Sequence, residues 1–365
     1  MKYFFLLIAL ITCTSPFIQG QDIKAPPYFL EFMEKNPKKF HMTYHDTEGK
    51  LIKWNDEQLS NVNGLVYWLF ALEYVRQVEN NNFSATERVP LEDVTRFDAS
   101  SNKMKVWNDY LNQTRKLLNK KVRMREIVSG IINFGNDANG DYMISRLGLD
   151  SVMSSVQTFQ MYNTTALFPF SSANIYIHNP YQIPHQEFVN EIKSENVNEF
   201  RKHTYALFDT LVNDSLGLKT DSFEFVPGKH KEYAILLSDR MPLGLVSDFN
   251  ILMQKINERS FFKGGMEKEW YKTVEEPLMA SKIMQERYKH CGRLVYSTVN
   301  TVVISMYATF QNGKKAHLTA TFEDLTETEH IDLALSINDF GFSLLENPEY
   351  LKKVQDKVNL IRMKK

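Results

Sequence analysis

Few side chains in this sequence stand where chemistry could start. Ser100-Ser101-Asn102-Lys103 sets a hydroxyl three residues before an amine, the spacing that lets a lysine take a serine proton on one helical face. It follows "TRFDA" and precedes a helix, so it reads as an exposed polar turn. "SDR" at Ser238, "SDF" at Ser247 and "KTD" at Lys219 share letters with catalytic motifs, without the elements that would aim them. Cys291 is a lone thiol once a leader carrying Cys13 is removed; a reactive thiol is one reading, a buried inert one the commoner. His41 and His45 lie on a strand, roughly 13 Å apart along one face, too far to chelate together. His178 and His185 flank a Pro-rich loop, and neither a metal site nor a cofactor is expected. Asp137, in "GNDANGD", is an acid or base by type, or a turn and capping residue by context.

The elements that must position such residues begin after a leader. "MKYFFLLIALITCTSPFIQG" has one Lys, an apolar run and a small-residue end, the pattern of a secretory signal peptide over residues 1–20. "LITC" matches a lipoprotein box poorly, because Thr12 precedes Cys13. The mature chain is expected to be secreted or periplasmic, with no membrane span. A net charge of -1 argues against nucleic acid as a partner. The triplets at Asn82, Asn112, Asn163 and Asn213 fit N-glycosylation acceptors, and an Asn-rich chain yields such matches by chance.

"APPYFLEFMEKNP" predicts a short helix, and "FHMTYHDTEGKLIKWN" a β-hairpin turning at "TEG". Val62 to Val78 is apolar on nearly all sides as far as Val75, the mark of a core helix. Helical patterns run from Lys103 to Val156, with Gly148 as a C-cap. "TTALFPFSSANIYIHNPYQIP" reads as a loop, and Asn190 to Val212 as one long helix. "DSLGLKTDSFEFVPGKHKEY" is another loop; "PLGLVSDFNILMQKI" and "EPLMASKIMQERY" are helical. Arg293 to Phe310 holds two strands, "KKAHLTATFEDL" a third, and two helices close the chain. The expectation is one α/β (α+β) domain over 21–365. An antiparallel sheet of about five strands comes from both chain ends. A helical lobe, about 62–290, is inserted between them.

That order of elements resembles the serine β-lactamase and DD-peptidase superfamily, and local sequence agrees. "EYVRQVENNNFSATERVPL" is similar to the end of the nucleophile helix and the segment after it. "NDANGDYMISRLGLDSV" resembles the second motif region, and "YSTVNTVVISMYATFQNGKKAHLTATF" the strand at the cleft edge with its neighbours. The resemblance implies a Ser and Lys three apart on the helix, a Ser-x-Asn loop, a Lys-Thr/Ser-Gly strand and an oxyanion hole. Here Gly64 and Tyr67 stand at the Ser and Lys positions, and Gly135-Asn136-Asp137 at the second motif. The third motif falls either on His290-Cys291-Gly292 or, preferably, on Leu294-Val295-Tyr296 followed by Ser297 and Thr298. Its Lys is missing either way.

The resemblance therefore implies a protein without the serine mechanism, binding a cell-wall peptide or a protein partner, or purely structural. An active amide hydrolase using Cys291, Asp137, Tyr67 or Ser297 is the alternative. Tyr67 has two readings: a phenol lining the cleft, or a core aromatic in the volume of the lost lysine. Ser297 and Thr298 either bond a ligand carboxylate or serve only as strand residues. Convergence of Gly64, Tyr67, Asp137 and Ser297 on one open groove would confirm the registers. A filled groove would favour the structural reading.

Overall fold

The computed structural model describes residues 25–99, 102–214 and 231–364. The leader, Ser100, Ser101 and Lys219 lie outside them. The elements used below are α1 (Pro27–Lys35), β1 (Phe40–Asp46), β2 (Leu51–Trp54), α2 (Tyr67–Glu79), α3 (Asn102–Gln113), α4 (Met124–Phe134), α5 (Asp137–Leu147) and α6 (Phe170–Ile177). After these come α7 (Val246–Glu258), β3 (Tyr288–Ser297), β4 (Val302–Phe310), β5 (Lys315–Phe322), α8 (Glu327–Glu346) and α9 (Pro348–Met363).

Five strands form one antiparallel sheet in the order β2-β1-β5-β4-β3. The N-terminal hairpin joins it because β1 pairs with β5 along its whole length, from Phe40 opposite Phe322 to Asp46 opposite Ala316. Alternation along the strands gives the sheet two buried faces. One packs on α1, α8 and α9, where Phe29 stacks on Phe340 at 4.2 Å and meets Phe322 edge-on at 5.2 Å. The Tyr350 hydroxyl donates to Pro26 O at 2.9 Å, so the described chain ends do lie together. The other face packs on α7 and the helical lobe, whose core takes in Leu294 and Tyr296 of β3 and Val303 and Tyr307 of β4.

Burial explains α2. Every residue from Val62 to Val75 is buried, so no polar stripe was needed. A 3-10 turn over Asn63–Val66 leads into the helix and carries Gly64. Gly148 does cap α5, as its position predicts.

Two sequence expectations fail. The supposed loop contains α6, which is buried on nearly all sides, so "FSSANIYI" shows no amphipathic period to detect. The single long helix is two, His185–Ser194 and Val197–Asn213. Asn196 starts the second with a capping box to Glu199, an N-x-x-E signal present in the sequence. Among the described residues, no helix is long and apolar enough to cross a membrane.

Candidate functional site

Four elements meet at Asp137. A glycine sets up the approach: Gly135 ends α4 in the left-handed conformation, φ 59°. The chain then turns sharply, and Asn136 caps α5 by accepting from the Ala138 N–H at 3.2 Å. Capping thus falls to Asn136, which frees Asp137 in the first helical turn to face the groove.

Asp137 is enclosed by donors. The Tyr67 hydroxyl of α2 donates to its Oδ1 at 2.7 Å. The Tyr296 hydroxyl of β3 lies 3.0 and 3.1 Å from its two oxygens. Lys103 Nζ, from the first turn of α3, approaches Oδ2 at 3.3 Å and sits 4.1 Å over the Tyr296 ring. Tyr67, Tyr296 and Lys103 thus bring three donors to the two carboxylate oxygens. Phe170 of α6 closes the wall, 5.3 Å from Tyr67 and 6.4 Å from Tyr296 between ring centres.

Two glycines allow this packing. A Cβ on Gly64 would lie 2.9 Å from Tyr296 Cβ and closer still to ring carbons. A Cβ on Gly140 would lie 2.9 Å from the Tyr67 ring. Gly64 is therefore required by the tyrosine that leans on it.

Electrostatics keep both phenols neutral. Burial first, then the Asp137 charge, pushes Tyr67 and Tyr296 well above the ordinary tyrosine value. They can donate hydrogen bonds; they are poor bases and poor nucleophiles. One turn along α5, Asp141 is buried, and burial pushes its carboxyl up to about 7.

Three of the four residues tested for convergence come together: Gly64, Tyr67 and Asp137. The Tyr296 ring occupies the space beside Gly64. Ser297 does not join them; alternation places it on the strand face opposite Tyr296. The Thr298 hydroxyl pairs with Ser238 Oγ at 2.5 Å instead. Of the two third-motif registers, Leu294-Val295-Tyr296 brings a side chain to Asp137. His290 contacts Glu275, and Cys291 is buried in the core shared with the terminal helices. Burial, then the Glu275 charge, raises the Cys291 thiol far above its ordinary value, so it holds no thiolate.

Lys103 corrects the sequence reading. The S-x-x-K stretch reads as an exposed turn, yet the Lys103 side chain is only 16% exposed and bonds Asp137. Its motif letters were the available signal. Asp141 was also legible, four residues after Asp137 on one helix face. Phe170 was hidden by the missed helix.

No protein-family model matches the chain, and no curated protein matches it by sequence. Solved structures do match. A β-lactamase from Sphaerobacter thermophilus is similar with a TM-score of 0.53 and 11% identity, over 87% of this chain and 94% of that one. A β-lactamase from Chitinophaga pinensis gives 0.52 and 8%, over 90% and 97%. PBP-A gives 0.51 and 9%, over 88% and 97%. The fold is that of serine β-lactamases and penicillin-binding proteins.

Proposed function

We propose that this chain is a β-lactamase-fold protein that does not form a serine acyl-enzyme. It is exported by the leader at residues 1–20 and serves a structural or protein-binding role at the cell envelope. The observation that carries this reading is the seating of Tyr296 on Gly64. At the position the resemblance gives to the nucleophile there is no side chain, and a tyrosine occupies the space beside it. The acid and base candidates are tied to one another, since Tyr67, Tyr296 and Lys103 all bond Asp137. Acylation needs a nucleophile with an adjacent base and room for the carbonyl, and the buried groove offers none of these.

The filled groove favours a structural or protein-binding role over capture of a cell-wall peptide. The active-hydrolase reading loses Cys291 to burial, Ser297 lies on the opposite strand face, and Tyr67 and Asp137 are already bonded to each other. Penicillin is the apt probe, because a PBP-A variant has been captured as an acyl-enzyme with penicillin G. Incubation with a fluorescent penicillin, followed by denaturing electrophoresis, should leave the band dark. Covalent labelling at any serine overturns the proposal. Fractionation of the source cells tests export; a protein retained in the cytoplasm contradicts the envelope role.

A further inference from the structure

Among the described residues, Arg293 is the one lysine or arginine that is buried, at 6% exposed. It lies on β3, and alternation turns it toward α8, away from the face that carries Tyr296. There its Nη1 donates to Asn338 Oδ1 at 2.7 Å. Its Nε is buried with no hydrogen-bond partner. No carboxylate among the described residues pairs with it. The contrast with two other arginines is direct. Arg125 and Arg259 have side chains 11% and 13% exposed, and each holds a carboxylate, Glu269 and Glu275.

We propose that Arg293 marks a binding site for a small organic monocarboxylate with an apolar tail, seated between the edge strand β3 and α8.

The head group follows from the missing counter-charge. A buried cation is costly unless it is paired and hydrogen-bonded. Burial pushes the guanidinium down only to about 10, so it keeps its charge at neutral pH. Asn338 takes one N–H of a planar fork whose geometry suits a carboxylate.

The tail follows from the flanks. Val295, next to Arg293 on that strand face, is half-buried against the core of the terminal helices, as is Ile331 of α8. Leu335 is 51% exposed and shares a helical stripe with Ile331 and Asn338. Because β3 is the edge strand, this face reaches solvent along the rim of the sheet. Ser297, the hydroxyl that does not join the Asp137 cluster, stands farther out on the same face.

The charge count selects a monoanion. α8 also carries Asp332 and Asp339, and burial alone raises the Asp339 carboxyl, with no cation beside it. A phosphate dianion would face one cation and two acids.

Titration calorimetry on the dialysed full-length protein tests the site, with octanoate as the probe. Octanoate should bind one to one. Octanol, acetate and inorganic phosphate should each bind at least about tenfold more weakly, since each lacks the tail or the single charge. Arg293→Met keeps the volume and removes the cation, and should weaken octanoate about tenfold or more. Leu335→Asp alters a half-exposed side chain, so it keeps the test open if Arg293→Met does not fold; a like charge beside the tail should also weaken octanoate about tenfold. Saturating octanoate should raise the Tm of the unaltered chain and leave that of Arg293→Met unmoved. No octanoate binding by the unaltered chain, octanol or phosphate binding as tightly, or unchanged octanoate affinity in either variant overturns the site. Penicillin labelling reads the opposite face of the strand, so this proposal and the non-catalytic one can each fail alone.

Discussion

The lobe meets the sheet through two tyrosine–carboxylate clusters built to one plan. At the groove, Tyr296 of β3 bonds Asp137, Lys103 sits over its ring, and the ring leans on Gly64. Farther along the sheet, Tyr307 of β4 bonds Glu275 at 2.5 Å, with Arg259 over its ring at 5.7 Å. There the ring leans on Gly292, whose Cβ would lie 2.6 Å from the hydroxyl. The difference is access. The Asp137 side chain is 20% exposed, while that of Glu275 is 0% exposed and also bonded by Arg259 and His290. Glu275 is the last residue of a π-helical turn, whereas Asp137 sits in an ordinary first helical turn. The same chemistry serves as a sealed strut in one place and as a plug at a groove mouth in the other.

Removing the carboxylate should expose that difference most. Glu275→Ala leaves the largely buried Arg259 guanidinium with only the more distant Glu267 and should cost about 3–5 kcal/mol in urea unfolding. Gly64→Ala forces Tyr296 off its seat and should cost about 1–3 kcal/mol by overpacking. Asp137→Ala should cost less, about 1–2 kcal/mol, because Asp137 and Lys103 are partly exposed and water can take the place of the carboxylate. Equal losses at Glu275 and Asp137 would erase the distinction between strut and plug.

The comparison also predicts a contrast in pH dependence. Burial pushes Glu275 up, but His290, Arg259 and Tyr307 outweigh it and hold the carboxyl below its usual 4.5. Its contribution is thus present above pH 4.5 and lost as pH falls through the lower folded value. Asp141 has the opposite sign: raised from 3.8 to about 7, it makes stability decline as pH rises across that window. Stability–pH curves should therefore flatten below pH 4.5 in Glu275→Gln and between 3.8 and about 7 in Asp141→Asn. A change in the same window for both variants would contradict these assignments.

The sheet was legible because its strands alternate or run β-branched between turn signals, and α2 because it is apolar throughout. The site was half legible. Gly64, Tyr67 and Asp137 were placed by resemblance, because the stretches around them are similar to the motif regions of the serine β-lactamases. Tyr296 entered only as one end of the preferred register, and Ser297 came with it as a ligand-binding candidate, although strand alternation turns it away. Lys103 was set aside because its surroundings in sequence suggested a turn, while its partner lies 34 positions away. Phe170 depends on α6, whose burial on nearly all sides removes the period that would reveal it. Contacts made across the fold, between residues each ordinary in its own stretch, leave no local trace.

The central claim is that Tyr296 fills the groove beside Gly64. A crystal structure of the protein soaked in a penicillin tests it most directly. The account predicts Tyr296 seated on Gly64, the Tyr67 and Tyr296 hydroxyls on Asp137, and no penicillin between them. Tyr296 swung outward with a penicillin bound in its place would contradict it.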